Sequence, residues 1–138
     1  MEPDELALLR EASRRRQHAV EFGCGASTVL LLRNGIGVLD SVDSQPAWVR
    51  RVSDEPDTAE ALRTGRLRMH CVDIGPTRKW GHPLDDESKA RWPQYAQAVP
   101  PFFDVVGRTG SLAVLAQRHD LDRAGIETLL RQYANDPA

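Results

Sequence analysis

The stretch AVEFGCGASTVLLLRNG at residues 19–35 constrains the fold more than any other part of this sequence. Residues 19–22 are short, apolar and closed by Gly23, which predicts a buried strand. Residues 27–32 open with hydroxyl side chains and stop at Asn34-Gly35, a common C-terminal capping pair, which predicts a helix. A strand joined to a helix through two glycines is the first half of a parallel crossover, so a second strand must return beside the first.

The chain downstream repeats the pattern. Residues 36–42 read as a second strand ending at Asp43, and residues 67–72 as a third ending at Asp73. Between them Ser44 is placed to cap a helix with Pro46 in its first turn and Trp48, Val49 and Val52 facing inward. Residues 53–58 are polar, include Pro56, and interrupt or end that helix. Ahead of the first strand, residues 4–17 set Leu6, Leu9 and Ala12 on one helical face, with Arg14, Arg15 and Arg16 at the end where basic charge suits the dipole. Strands alternating with helices imply right-handed crossovers and an α/β, Rossmann-like parallel sheet with helices on both faces.

Residues 73–101 break the rhythm, with Pro76, Pro83, Pro93, Pro100 and Pro101 among Trp80, Trp92 and Tyr95. A loop of this length in a compact domain is functional, or marks a missing piece. Residues 111–116 read as a last strand. Residues 122–133 read as a helix with Ile126, Leu129, Leu130 and Tyr133 in register.

Ligands of such sheets bind at the carboxyl ends of the strands. Gly23 and Gly25 let the backbone turn and approach a ligand closely, and the helix beginning near Ser27 points N–H groups into the same space. Asp43 lies about twenty residues further on, where an acidic side chain accepts from ribose hydroxyls, and Asp73 is placed to accept from an adenine amino group. A dinucleotide wants Gly-x-Gly-x-x-Gly, but the third glycine is missing, and Glu21 sets a carboxylate near the phosphates. S-adenosyl-L-methionine has no phosphate and carries a cationic sulfonium, so charge favours it. A nicotinamide-cofactor domain and a purely structural strand–turn–helix remain the alternatives.

At these residues the sequence resembles class I S-adenosylmethionine-dependent methyltransferases, whose first motif is an acidic residue followed by Gly-x-Gly. It is closer still to a little-characterised bacterial branch of methyltransferase-like proteins. That branch pairs E-x-G-x-G-x-S-T, here Glu21 to Thr28, with D-I-G-P-T-x-x-W-G-x-P, here Asp73 to Pro83, and with an RWPQY-like segment, here Arg91 to Tyr95. The resemblance covers residues 20–99 and implies a cofactor set of Glu21, Gly23, Cys24, Gly25, Ser27, Thr28, Asp43, Ser44, Asp73 and Ile74. Within it Glu21, Gly23 and Gly25 would line the methionine moiety, Asp43 the ribose and Asp73 the adenine side. The family's fourth and fifth strands are not found. Residues 102–122 instead resemble the end of such a chain, a helix feeding a last strand, although residues 102–106 also read as a fourth strand. The expectation is one domain with a reduced sheet of about three to five strands, lacking an internal block near residues 99–101. Its parts are an N-terminal helix (1–18), a cofactor-binding half (19–73), a Pro/Trp loop (74–101) and a C-terminal strand and helix (102–138). The first strand's exposed edge would suit pairing in a homodimer.

Methyl transfer is a direct displacement and leaves no obligatory catalytic signature. His82 is the base candidate by position, and Trp80, Trp92 and Tyr95 are candidates for an acceptor pocket. His70, Cys71, Asp73 and His82 do not form a metal set, because neighbours on a strand point to opposite faces. Cys24 and Cys71 have no disulfide-framework spacing and are read as reduced, buried, structural thiols. A net charge of −2 draws the chain neither to nucleic acid nor to a membrane, and favours a small-molecule acceptor. The longest apolar run, residues 29–32, cannot span a bilayer, and no signal segment opens the chain, so a cytoplasmic location is expected. A non-catalytic remnant of the methyltransferase fold is the second functional expectation.

Overall fold

The computed structural model describes residues 3–98; residues 103–109 and 112–117, and Trp80, are described by their backbone alone. The elements are α1 (Pro3–Ser13), β1 (His18–Phe22), α2 (Ala26–Arg33), β2 (Val38–Asp43), α3 (Pro46–Ser53), α4 (Pro56–Arg63), β3 (Leu67–Cys71), α5 (Pro93–Gln97), β4 (Phe103–Thr109) and β5 (Leu112–Gln117). Two 3₁₀ turns, Lys79–Gly81 and Lys89–Arg91, lie between β3 and α5. β1, β2 and β3 form a parallel sheet in that order, with Ala19 opposite Leu39 and Leu39 opposite Leu67. The fold is α/β and Rossmann-like.

Strand order explains where the core lies. Two successive right-handed crossovers moving the same way across a sheet deliver their helices to the same face. On that face Leu39 and Leu67 join Leu31, Leu32, Ile36 and Ala61 in a buried cluster, with Leu9, Ala19, Leu62 and Met69 packed against it. Alternation sends the intervening residues to the opposite face. There Asp40 is buried and gathers His18 Nε2 at 2.5 Å, Arg68 Nη2 at 2.7 Å and His70 Nε2 at 2.7 Å, one partner from β1 and two from β3. Towards the strand ends the same face carries Phe22, whose ring packs at a tilt of 37° against Tyr95 of α5 with centroids 5.6 Å apart.

Several expectations are corrected. α1 stops at Ser13, so Arg14, Arg15 and Arg16 follow the helix; Arg16 Nε still donates to Ala12 O at 3.2 Å. The polar residues 53–58 end α3, but Pro56 then opens α4, a short helix that buries only Thr58 and Ala61. Gln45 rather than Ser44 is the N-cap of α3, and Trp48 is exposed instead of facing inward. Residues 103–109 form a strand, not a helix, and pair antiparallel with β5. β5 passes beside β1 but hydrogen-bonds only to β4. The helix expected at residues 122–133 lies outside the described residues. Among the described residues no helix is long and apolar enough to cross a membrane.

Candidate functional site

The loop between β1 and α2 turns at Gly23, whose φ of +89° is a conformation that side-chain-bearing residues rarely adopt. Its three amides all point into the protein. Gly23 N donates to Val42 O at 2.7 Å, Cys24 N to Asp43 Oδ2 at 3.0 Å, and Gly25 N to Thr28 Oγ1 at 2.9 Å. A Cβ built at Gly23 would meet nothing within 4 Å, so the outer side of this residue is open.

Glu21 sits beneath the loop and is only 8% exposed. Its Oε2 accepts from Thr28 Oγ1 at 2.6 Å and Ser41 Oγ at 2.8 Å, while Oε1 accepts from Ser27 Oγ. This carboxyl clasps the first turn of α2 to β1 and β2. Burial pushes its pKa up, against the pull of the three hydroxyls, and the charge of Asp43 adds to the rise. Asp43 closes β2 in a comparable way: Oδ1 accepts from Ser44 N at 2.7 Å and Gln45 N at 3.0 Å, and so serves the start of α3. Glu21, Cys24, Ser27, Thr28 and Asp43, all expected in the site from sequence, are thus brought together around the glycine loop.

Asp73 and Ile74 stand apart from that group. Ile74 is buried. Asp73 is turned to its own loop, where Oδ1 accepts from Gly75 N at 2.9 Å and Oδ2 from Arg91. Between this loop and the start of α3 lies a cavity of about 430 Å³. Ser44, Gln45 and Ala47 line one side, and Cys71, Asp73 and Thr77 belong to the other. Gln45 Nε2 also donates to Thr77 Oγ1, linking the two walls.

Burial, with the nearby charge of Asp43, pushes the Cys24 thiol up to about 12 and raises Cys71 as well, so neither is poised as a thiolate near neutral pH. Cys24 is buried as expected, whereas Cys71 is exposed. The sheet geometry separates His70, which bonds Asp40, from Cys71; among the described residues no His, Cys, Asp or Glu group is arranged to hold a metal. His82 is exposed at the end of the first 3₁₀ turn. Tyr95 does reach the rim: its Oη donates to Val42 O at 3.0 Å, the same carbonyl that receives Gly23 N. Burial first, then Asp43, push this phenol up to about 12.

Sequence reasoning missed Trp48. Its indole Nε1 donates to Cys24 O at 2.7 Å, and Cζ2 stands 3.7 Å from where a Gly25 Cβ would be. The available signal is position: a residue in the first turn of a helix leans toward the helix N-terminus and so toward the rim of strand ends, where the neighbouring β1–α2 loop lies.

No protein-family model and no curated protein matches the chain. A solved structure does: a methyltransferase-like protein from Silicibacter pomeroyi DSS-3, with 32% identity and a TM-score of 0.56. The alignment covers 69% of this chain and 49% of that one, so the chain spans about half the length of this relative. The chain thus has a methyltransferase-like α/β fold.

Proposed function

We propose that the chain binds S-adenosyl-L-methionine across the carboxyl ends of β1, β2 and β3, and that it serves methyl transfer to a small-molecule acceptor. The observation that carries this reading is the polarity of the glycine loop. A pyrophosphate needs loop amides pointing outward. Here those of Gly23, Cys24 and Gly25 are committed inward, and acidic Glu21 and Asp43 underlie the turn. Such a loop gives a phosphate few donors and suits a sulfonium and an ammonium group.

The residues present fit that cofactor. Gly23 leaves its outer side clear for the amino-acid tail, and the 430 Å³ cavity between α3 and the 73–77 loop has room for a nucleobase. Asp43 lies between the two, at the strand end where the resembled family holds ribose. When bound, the cofactor supplies a methyl group on a positively charged sulfur. What remains for the chain is to align acceptor and donor, and Tyr95 with Phe22 offers an aromatic surface beside Gly23 for this. The likeness to the methyltransferase-like Silicibacter protein supports this reading.

Titration calorimetry with S-adenosylhomocysteine tests it, using the wild type, Gly23→Arg and Asp43→Asn, each checked for folding by circular dichroism. Asp43→Asn keeps the Oδ1 acceptor for Ser44 N and Gln45 N. Micromolar binding by the wild type and its loss in both folded variants is the expected result. A folded wild type that binds nothing refutes the reading. One feature favours a second reading, a domain that folds without catalysing: an antiparallel strand pair, not a parallel fourth strand, accompanies β1. Binding without transfer to any acceptor in a broad screen would select it.

A further inference from the structure

The two glycines of the loop differ in what stands over them. Gly23 is open, whereas the space above Gly25 is taken by the indole of Trp48, held through its hydrogen bond to Cys24 O. Burial does not explain this placement, because Trp48 is 41% exposed. A guanidinium, that of Arg51, lies 5.6 Å from the ring centroid. A Cβ built on Gly25 would stand 3.7 Å from the indole Cζ2, so the ring lies directly over this residue. A ligand laid across the loop needs the backbone bare and the space above it free. Indole and ligand therefore claim the same volume.

From this we infer that Trp48 is a displaceable cover over the tail end of the cradle. The inference rests on the cofactor reading above. The indole fills the space over Gly25, and the amino-acid tail of S-adenosylmethionine takes that space by displacing it. What holds the cover is one hydrogen bond and one cation–π contact at an exposed position, both weak enough to be exchanged for a ligand. Loss of the cover removes a competitor, so it tightens binding.

The test is the affinity for S-adenosylhomocysteine of the wild type, Trp48→Ala and Trp48→Phe, read by calorimetry, together with tryptophan emission. Trp48→Ala should bind about fivefold tighter, the worth of one such hydrogen bond. Trp48→Phe keeps a ring but loses the bond to Cys24 O, and should fall between the two. Ligand should shift the emission of the wild type to the red and leave that of Trp48→Phe unshifted. Should Trp48→Ala fail to fold, Trp48→Phe decides alone: tighter binding supports the cover, and equal or weaker binding overturns it. Wild-type binding with no tightening in the variants overturns the cover and leaves the cofactor reading intact. No binding by any folded form refutes both.

Discussion

Asp40→Asn is the most informative substitution away from the strand ends. Asp40 is 2% exposed and its carboxylate holds three side chains at once: His18 and Arg68 on Oδ2, His70 on Oδ1. An amide in the same place offers one acceptor and turns N–H donors against donors. Removing one partner of a buried charged group costs about 3–5 kcal/mol. Here the lower end applies, because Arg68 is half exposed and His70 one-third exposed and both regain water, whereas His18, at 15%, does not. The expected loss is about 3 kcal/mol, or roughly 10 °C in melting temperature for a domain of this size. Burial pushes the Asp40 carboxyl up, but His70, His18 and Arg68 outweigh it and hold the pKa below the usual carboxylate value. A depressed carboxylate stabilises the native state above the unfolded pKa of about 3.9, and this contribution disappears as pH falls through the folded value. Urea unfolding of wild type and variant should therefore show a gap at pH 5 that closes below about pH 4. A variant within about 0.5 kcal/mol of wild type at pH 5, or a gap that survives at pH 2.5, would refute the account.

Three further outcomes are expected. Gly75→Ala should destabilise by about 1–3 kcal/mol in urea titration, because φ is +91° and the new Cβ would lie 2.1 Å from Ser88 Oγ; adding Ser88→Gly should recover only part of the loss. One thiol, Cys71, should react with a disulfide reagent at pH 8 in the native protein, and Cys24 only after unfolding; two fast thiols would contradict the burial of Cys24. Gly25→Ala should cost about 1–3 kcal/mol, because φ 162° with ψ −136° is a conformation that glycine adopts readily and alanine does not, and the folded variant should bind S-adenosylhomocysteine at least tenfold more weakly, since a methyl has room beside Trp48 but not beneath a ligand.

The three parallel strands and α2 were legible because their cues are local: a short apolar run, a glycine turn, and Asn34 followed by Gly35, whose φ is +89°. α4 was hidden because only Thr58 and Ala61 of its residues are buried, which leaves no apolar period to read. The strand at 103–109 was obscured because its pairing is a tertiary choice: Phe103 and Asp104 face Gln117 and Ala116 across a hairpin, where the family pattern pointed to a helix. In the candidate site, the acidic strand ends and the glycines were visible. Their orientation was not, since the inward turn of the Cys24 amide depends on Asp43, nineteen residues away. Trp48 is hidden because its apolar spacing with Val49 and Val52 masks a residue that reaches across to the β1–α2 loop.

The shared carbonyl of Val42 sets an order of assembly. The bond that ties the glycine loop to β2 closes over 19 residues, from Cys24 to Asp43, whereas Tyr95 must return across 53 to reach the same strand end. Short closures form before long ones. The half of the rim built on β1 and β2 is accordingly complete early, and its aromatic side arrives late. By the same count it leaves first when the native state opens locally, so α5 should lose its amide protons to deuterium ahead of β2.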